Sequence, residues 1–368
     1  MHTTITTPAD FARFQQEMRR LLQQTGIDQI AAYHFFELTP TDLPWQASGL
    51  HIQAGQAVTF LLAGHWYLVE ALNLTLEAGF VFWARTDANE PMYSPPSNTG
   101  THIFTHSGEL LLARSAGEWA SPRGDLLVPP ELYTQASGYL YGIAIVWQND
   151  ALTGLQAMHS HGDVQHLIGD EILRLQHAIT PPPQWSYYPL LGNRETFHAC
   201  EHEQGVCCHT DNNVGILQYP VDMPLNPATS LDWRWIIERL PSAVAEDTLP
   251  THDYLSIAVE FDDGQDITYL WSAELPVDTV FRCPIPSWTA RETHIVVRSG
   301  LGELGTTQSE KRDIYADYHA HIQGNATRIV SVWLIAVSLF QHSLGSCRYE
   351  SIVLRNTTSN ITVIPAAI

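Results

Sequence analysis

The densest run of side chains able to do chemistry is His198-Ala199-Cys200-Glu201-His202, continuing through Cys207-Cys208-His209 to Asp211. Thiolates and imidazoles this close together suit zinc, with Cys200, His202, Cys207 and His209 as candidate ligands. No second Cys-x-x-Cys pair closes a four-ligand pattern, so the competing reading is a loop carrying inert thiols. A second group is His159, His161, Asp163 and His166. His161 or His166 could transfer protons near neutral pH, and Asp163 is the right residue to cap a helix. The alternative is a solvated connector. A third group surrounds a hairpin: Asp253, Glu260, Asp262, Asp263 and Asp266. Asp262-Asp263-Gly264-Gln265 reads as the turn itself. Glu260 and Asp253 border apolar sequence, where a carboxylate needs a partner or a raised pKa. Arg291, Arg298 and Arg312 are available partners, and period-two alternation puts His294 and Arg298 on one strand face. The catalytic candidates are therefore Glu260, Asp253, His161, His166, His294 and Arg298. A general acid and a strand-locking Arg–carboxylate pair both fit that pattern.

These residues need elements to hold them. Thr7-Pro8-Ala9-Asp10 starts a helix, Phe11, Phe14, Met18, Leu21 and Leu22 give it one apolar stripe, and Gly26 ends it. From about residue 30 to 147, short alternating runs are broken by Gly, Pro, Asn and Ser, the pattern of a sandwich or jelly roll. Residues 150–179 turn helical again, and Thr180-Pro181-Pro182-Pro183 stops them. Strand patterns then resume to the end. The expected fold is all-β: two jelly-roll, galactose-binding-like β-sandwiches joined by a helical connector, with one N-terminal amphipathic helix. The expected division is 1–28 (helix), 29–149 (first sandwich), 150–183 (connector) and 184–368 (second sandwich).

Composition narrows the partners. Asp and Glu outnumber Lys and Arg by 39 to 18, giving a formal charge of −21 with Lys311 as the sole lysine. Such a surface repels phosphate backbones and anionic lipid, so nucleic acid and membranes are not expected partners. A neutral or cationic small molecule is, and homo-oligomerisation stays open. The longest apolar stretch, Ile329 to Phe340, is short of the ~20 residues of a membrane helix. No basic, apolar leader opens the sequence and the five cysteines are an odd number. Reduced thiols and a cytoplasmic location are the expectation. Phosphate loops, dinucleotide fingerprints, nucleophile elbows and His-Glu-x-x-His are missing, which argues against nucleotide use and hydride transfer. No organic cofactor is expected, and zinc or calcium are the metals the residues would admit.

Two resemblances follow. Leu231-Asp232-Trp233-Arg234-Trp235, Asp253-Tyr254, Val259-Glu260-Phe261, Thr268-Tyr269-Leu270-Trp271, Val296-Val297-Arg298-Ser299-Gly300, Glu310-Lys311-Arg312-Asp313 and Asp317-Tyr318 come in an order that resembles a bacterial domain of unknown function, number three-zero-four-seven. The likeness spans roughly residues 205–356 and implies a galactose-binding-type jelly roll without implying an activity. The first half resembles galactose-binding lectins of the PA-I type through Trp45 to Leu50, Ala54-Gly55-Gln56, Ala63-Gly64-His65-Trp66 and Trp147-Gln148-Asn149-Asp150. Those lectins hold calcium and sugar just after such a strand, which makes Asp150 and Thr153 the calcium candidates, though no Asn pair follows here.

Three functions fit. The first is an acid/base enzyme, a lyase, hydratase or hydrolase, acting on a neutral small molecule in a cleft between the sandwiches. Trp185, Tyr188, Trp235, Tyr269 and Trp271 are its candidate substrate-binding residues. The second is a non-catalytic carbohydrate-binding protein. The third is a structural or interaction protein.

Overall fold

The structure is a computed structural model describing residues 6–26, 28–39, 43–69, 74–200 and 204–366. It divides into unit 1, residues 1–178 with 189–194, and unit 2, residues 179–188 with 195–368. The protein is mostly β-sheet with few helices.

Unit 1 opens with α1 (Pro8–Thr25), followed by β1 (Ile30–Leu38), β2 (Trp45–Ile52), β3 (Ala57–Ala63), β4 (His65–Val69) and β5 (Leu74–Glu77). The single turn α2 (Ala78–Val81) leads to β6 (Phe82–Arg85), β7 (Thr99–Ile103) and β8 (Gly108–Arg114). Then come α3 (Pro130–Tyr133), β9 (Ser137–Gly138), β10 (Leu140–Trp147), α4 (Ala151–His159) and α5 (Leu167–Gln176). The strands form sheets in the orders β1-β10-β3-β7, β2-β8-β6 and β5-β4-β9. The N-terminal helix has the capping box its sequence implies, with Thr7 and Asp10 exchanging bonds. Its stripe of Phe14, Met18, Leu21 and Leu22 is buried together with Leu155, Met158 and Ile168. The helices expected to form a connector contribute apolar faces to the core of unit 1.

Unit 2 is built from β11 (Ser186–Tyr187), β12 (Phe197–Ala199), β13 (Val206–Asp211), β14 (Val214–Pro224), β15 (Ser230–Arg239), β16 (Tyr254–Phe261) and β17 (Asp266–Ser272). It continues with β18 (Val280–Arg282), β19 (Glu292–Ser299), β20 (Gln308–Asp313), α6 (Ile314–His321), β21 (Arg328–Val337), β22 (Leu344–Arg355) and β23 (Asn360–Ile364). A seven-stranded sheet, β11-β14-β21-β16-β17-β19-β18, and a six-stranded one, β12-β13-β22-β15-β20 with β23 on β22, share one core. Leu255, Ile257 and Val259 of β16, Ile267, Tyr269 and Trp271 of β17, and Ile295 and Val297 of β19 all belong to that core. Alternation turns Glu260, Asp266, Thr268 and His294 to the opposite face of the seven-stranded sheet.

Candidate functional sites

The polar side chains of unit 1 gather where β4 and β5 pair. His65 lies opposite Glu77 in the ladder, and its Nδ1 is 3.2 Å from Glu77 Oε1. Asn98 Nδ2 donates to Glu77 Oε2 at 2.9 Å, and Asn98 Oδ1 accepts from the Gly79 N–H at 2.8 Å. A backbone amide thus holds an amide, which holds a carboxylate, which holds an imidazole. Glycine makes this chain possible at two points. A Cβ on Gly79 would sit 1.9 Å from Ser97 O, and one on Gly64, at φ +97°, would sit 2.0 Å from Tyr139 O. With Glu77 on Nδ1, the imidazole carries its lone pair on Nε2 when neutral. The hydrogen bond that His65 donates to the Glu77 carboxylate raises the His65 pKa above its ordinary value, against a smaller opposing effect of burial.

His65, Glu77 and Asn98 line a cavity of about 390 Å³. Asp10, Asp170, Gln165 and Tyr141 add further donors and acceptors, Leu62 and Leu167 supply apolar surface, and among the described residues no Lys or Arg lines it. Sequence reading named His65 only as part of the lectin-like run Ala63–Trp66, and it did not single out Glu77. Their separation in the chain hides a pairing that only the β4–β5 register creates.

Unit 2 holds a second constellation. His252, just before β16, Cys283, just after β18, and Glu292 and His294 on β19 are all buried, and their ligating atoms lie within 4.8 Å of one another. Cys283 Sγ is 3.4 Å from His252 Nε2, and His294 Nε2 is 3.3 Å from Glu292 Oε2. His252 Nδ1 is 2.7 Å from the Glu246 carbonyl, which fixes that nitrogen as the donor. Glu292 Oε1 accepts from Thr268 Oγ1 at 3.1 Å and from the Tyr254 hydroxyl at 3.3 Å. Burial pushes His252 down to about 3, with the neighbouring His294 adding to the effect, so it is a neutral imidazole at physiological pH. Beside the cluster, burial drives the Asp266 carboxyl well above its usual range, and Glu292 adds to the effect.

The remaining sequence candidates are dispersed. Asp253 is buried and accepts the N–H groups of Phe340 and Gln341 at 2.9 and 2.8 Å, a structural role. Glu260 pairs with Arg291 at 3.7 Å, and burial raises its pKa despite that partner. Arg298 does not share a face with His294. A register shift between β17 and β19 aligns it with Trp271, and it bonds Glu310 at 2.8 Å and Glu303 at 2.5 Å. His161 and His166 are exposed, and Asp163 accepts the N–H groups of Ile168 and Gly169 at the start of α5. Trp185, Trp235, Tyr269 and Trp271 are core residues, because their rings fill the space between the two sheets of unit 2. Tyr188 packs its ring near Trp288 and Trp333.

Among the zinc candidates read from residues 198–211, two are bonded to each other. Cys200 and Cys207 form a disulfide, which consumes both thiolates and also corrects the expectation of fully reduced cysteines. His209 is exposed on β13, and His202 lies outside the described residues. Asp150, the calcium candidate, caps α4 instead, accepting Thr153 N and Oγ1 at 2.8 Å each. Among the described residues no helix is long and apolar enough to cross a membrane.

The fold and its two constellations define an all-β protein of two units, one with a polar cavity and the other with a buried His–Cys–Glu–His cluster. Residues 183–353 match the model of the family described as "Protein of unknown function (DUF3047)", consistent with the resemblance read from the sequence. No curated protein matches the chain. Similar solved structures include the xyloglucanase domain of NopAA, a type three effector from Sinorhizobium fredii in complex with cellobiose (9% identity, 50% of this chain, 96% of that chain, TM-score 0.27). Others are truncated AlyQ with CBM32 and alginate lyase domains (10% identity, 91% and 94% covered, TM-score 0.24) and the CBM22-1–CBM22-2 tandem of Paenibacillus barcinonensis Xyn10C (11% identity, 89% and 98% covered, TM-score 0.22).

Proposed function

We propose that unit 1 binds a small hydroxyl-rich molecule without negative charge, of the sugar or amino-sugar class, in the cavity around His65. The anchored Gly79–Asn98–Glu77–His65 chain carries this reading. It presents fixed donors and acceptors beside apolar surface, the combination that orients a ligand in a pocket. Carboxylates without a lysine or arginine make the lining unfavourable for a phosphate or carboxylate ligand. The acid/base candidates in unit 2, Asp253 and Glu260, are already occupied by structural partners.

Calorimetric titration of the full-length protein against neutral and amine-bearing sugars and polyols tests the reading. Each of His65→Ala and Asn98→Ala is expected to weaken binding roughly 10- to 100-fold, since a hydrogen bond to a charged group contributes about 1.5–3 kcal/mol. No binding across the panel, in protein shown to be folded, rejects the proposal.

One observation favours a second reading, in which the same site is catalytic. Glu77 orients His65 as a third group orients a general base. Under this reading Glu77→Gln leaves binding within a few-fold but removes turnover of the bound ligand, followed by NMR.

A further inference from the structure

We propose that His252, Cys283, Glu292 and His294 form a closed, four-coordinate site for a divalent transition metal, with zinc the best match. The site is independent of the cavity in unit 1. It rests on distances, orphaned atoms and charge.

Tetrahedral zinc with bonds of about 2.0–2.3 Å has ligand–ligand edges of about 3.3–3.8 Å. The Cys283–His252 and His294–Glu292 separations of 3.4 and 3.3 Å already fall there. The remaining separations, all within 4.8 Å, need side-chain movements on the order of 1 Å. The atoms beyond the ligands are arranged as metal sites require. The Glu246 carbonyl takes the Nδ1 proton of His252 and so presents Nε2 as a ligand. Thr268 and Tyr254 hold one oxygen of Glu292, while the other faces His294.

His294 supplies an independent sign. It is fully buried, its Nδ1 has no hydrogen-bond partner, and the polar neighbour of its Nε2 is the Glu292 carboxylate at 3.3 Å, a fellow member of the cluster. Rings surround it instead: Phe281 stacks on it at 4.8 Å between centroids, and Tyr254 and His252 meet it edge-on. A metal between Nε2 and the Glu292 carboxylate would bind both of these buried atoms at once.

Charge selects the ion. One thiolate and one carboxylate with two neutral imidazoles carry −2, which a divalent cation cancels in a buried setting where net charge is costly. Binding therefore moves the Cys283 thiol proton to solvent as the metal–sulfur bond forms, and no electrons change hands. A mixed sulfur, nitrogen and oxygen set suits zinc better than calcium or magnesium, which take oxygen ligands. With four protein ligands and no exposed position, the ion is structural. It ties the chain after β18 and the approach to β16 to strand β19.

The test is elemental analysis of the full chain, followed by cobalt substitution. The expected result is one zinc per chain. The cobalt form should show thiolate-to-cobalt absorption in the near ultraviolet and intense visible bands of tetrahedral cobalt. Cys283→Ser should abolish the thiolate absorption, and Cys208→Ser, which alters a buried thiol outside the cluster, should keep it. If Cys283→Ser does not fold, the wild-type cobalt spectrum decides alone. Absence of a tetrahedral thiolate spectrum in folded wild-type protein supplied with cobalt overturns the proposal, as does a spectrum that Cys208→Ser removes and Cys283→Ser leaves intact.

Discussion

Burial pushes the Asp253 carboxyl up to about 6 from an ordinary value of 3.8, while the N–H groups of Phe340 and Gln341 pull it down less strongly. The folded chain therefore holds a proton that the unfolded chain has already released between about pH 4 and 6. Stability from this group is fully present below that window and is lost as pH rises through it. Urea midpoints of the wild type and Asp253→Asn, measured across the window, should converge or diverge there and run parallel above about pH 6.5. A constant difference at every pH would show that Asp253 does not titrate this way. From the sequence, a carboxylate beside apolar strand residues announces that it needs a partner. It does not announce that the partner is a pair of amides about ninety residues away. Glu260 was legible further, since Arg291 was among its expected partners.

Helix α4 lies close to β10 because residue 154 has no side chain. A Cβ there would meet the Trp147 ring at 2.3 Å, and that ring is itself buried with its Nε1–H donating to Thr59 Oγ1 at 2.7 Å. Gly154→Ala, a substitution that ordinarily favours a helix, should here lower stability by about 1–3 kcal/mol, because a rigid ring cannot give way cheaply. A raised thermal midpoint would contradict the packing. At this scale the class of the fold was readable: the strand patterns that resume after the prolines correspond to a chain segment built mostly of strands. The β12–β13 hairpin was not. Val206, Cys208 and Thr210 are buried in alternation with Cys207, His209 and Asp211, a strand pattern written largely in residues that also suggest metal ligands. The true cluster escaped notice for the opposite reason. Its members are 42 residues apart from first to last, and only the parallel β17–β19 pairing and the short β18 bring them together.

The chain passes between its units three times, at about residues 178, 188 and 194. The return segment matters to unit 1. Arg194 is buried and donates to the carbonyls of Gly79 and Pro95 at 3.0 and 2.9 Å, and to those of Phe80 and Leu191 at 2.9 and 3.0 Å. It thereby braces the turn that positions Asn98 in the cavity of unit 1. A fragment of residues 1–194 should keep the near-ultraviolet circular dichroism of unit 1, and a fragment ending at residue 183 should lose much of it. Equal spectra would show that Arg194 is dispensable. The prolines at 181–183 marked a break in the helical pattern correctly, yet a break in secondary structure is not the end of a packing unit. Sequence patterning records the first far better than the second. In hereditary terms, any single crossover in the gene that hands one unit on whole also carries off a short piece of the other, so the two are expected to be inherited as one piece.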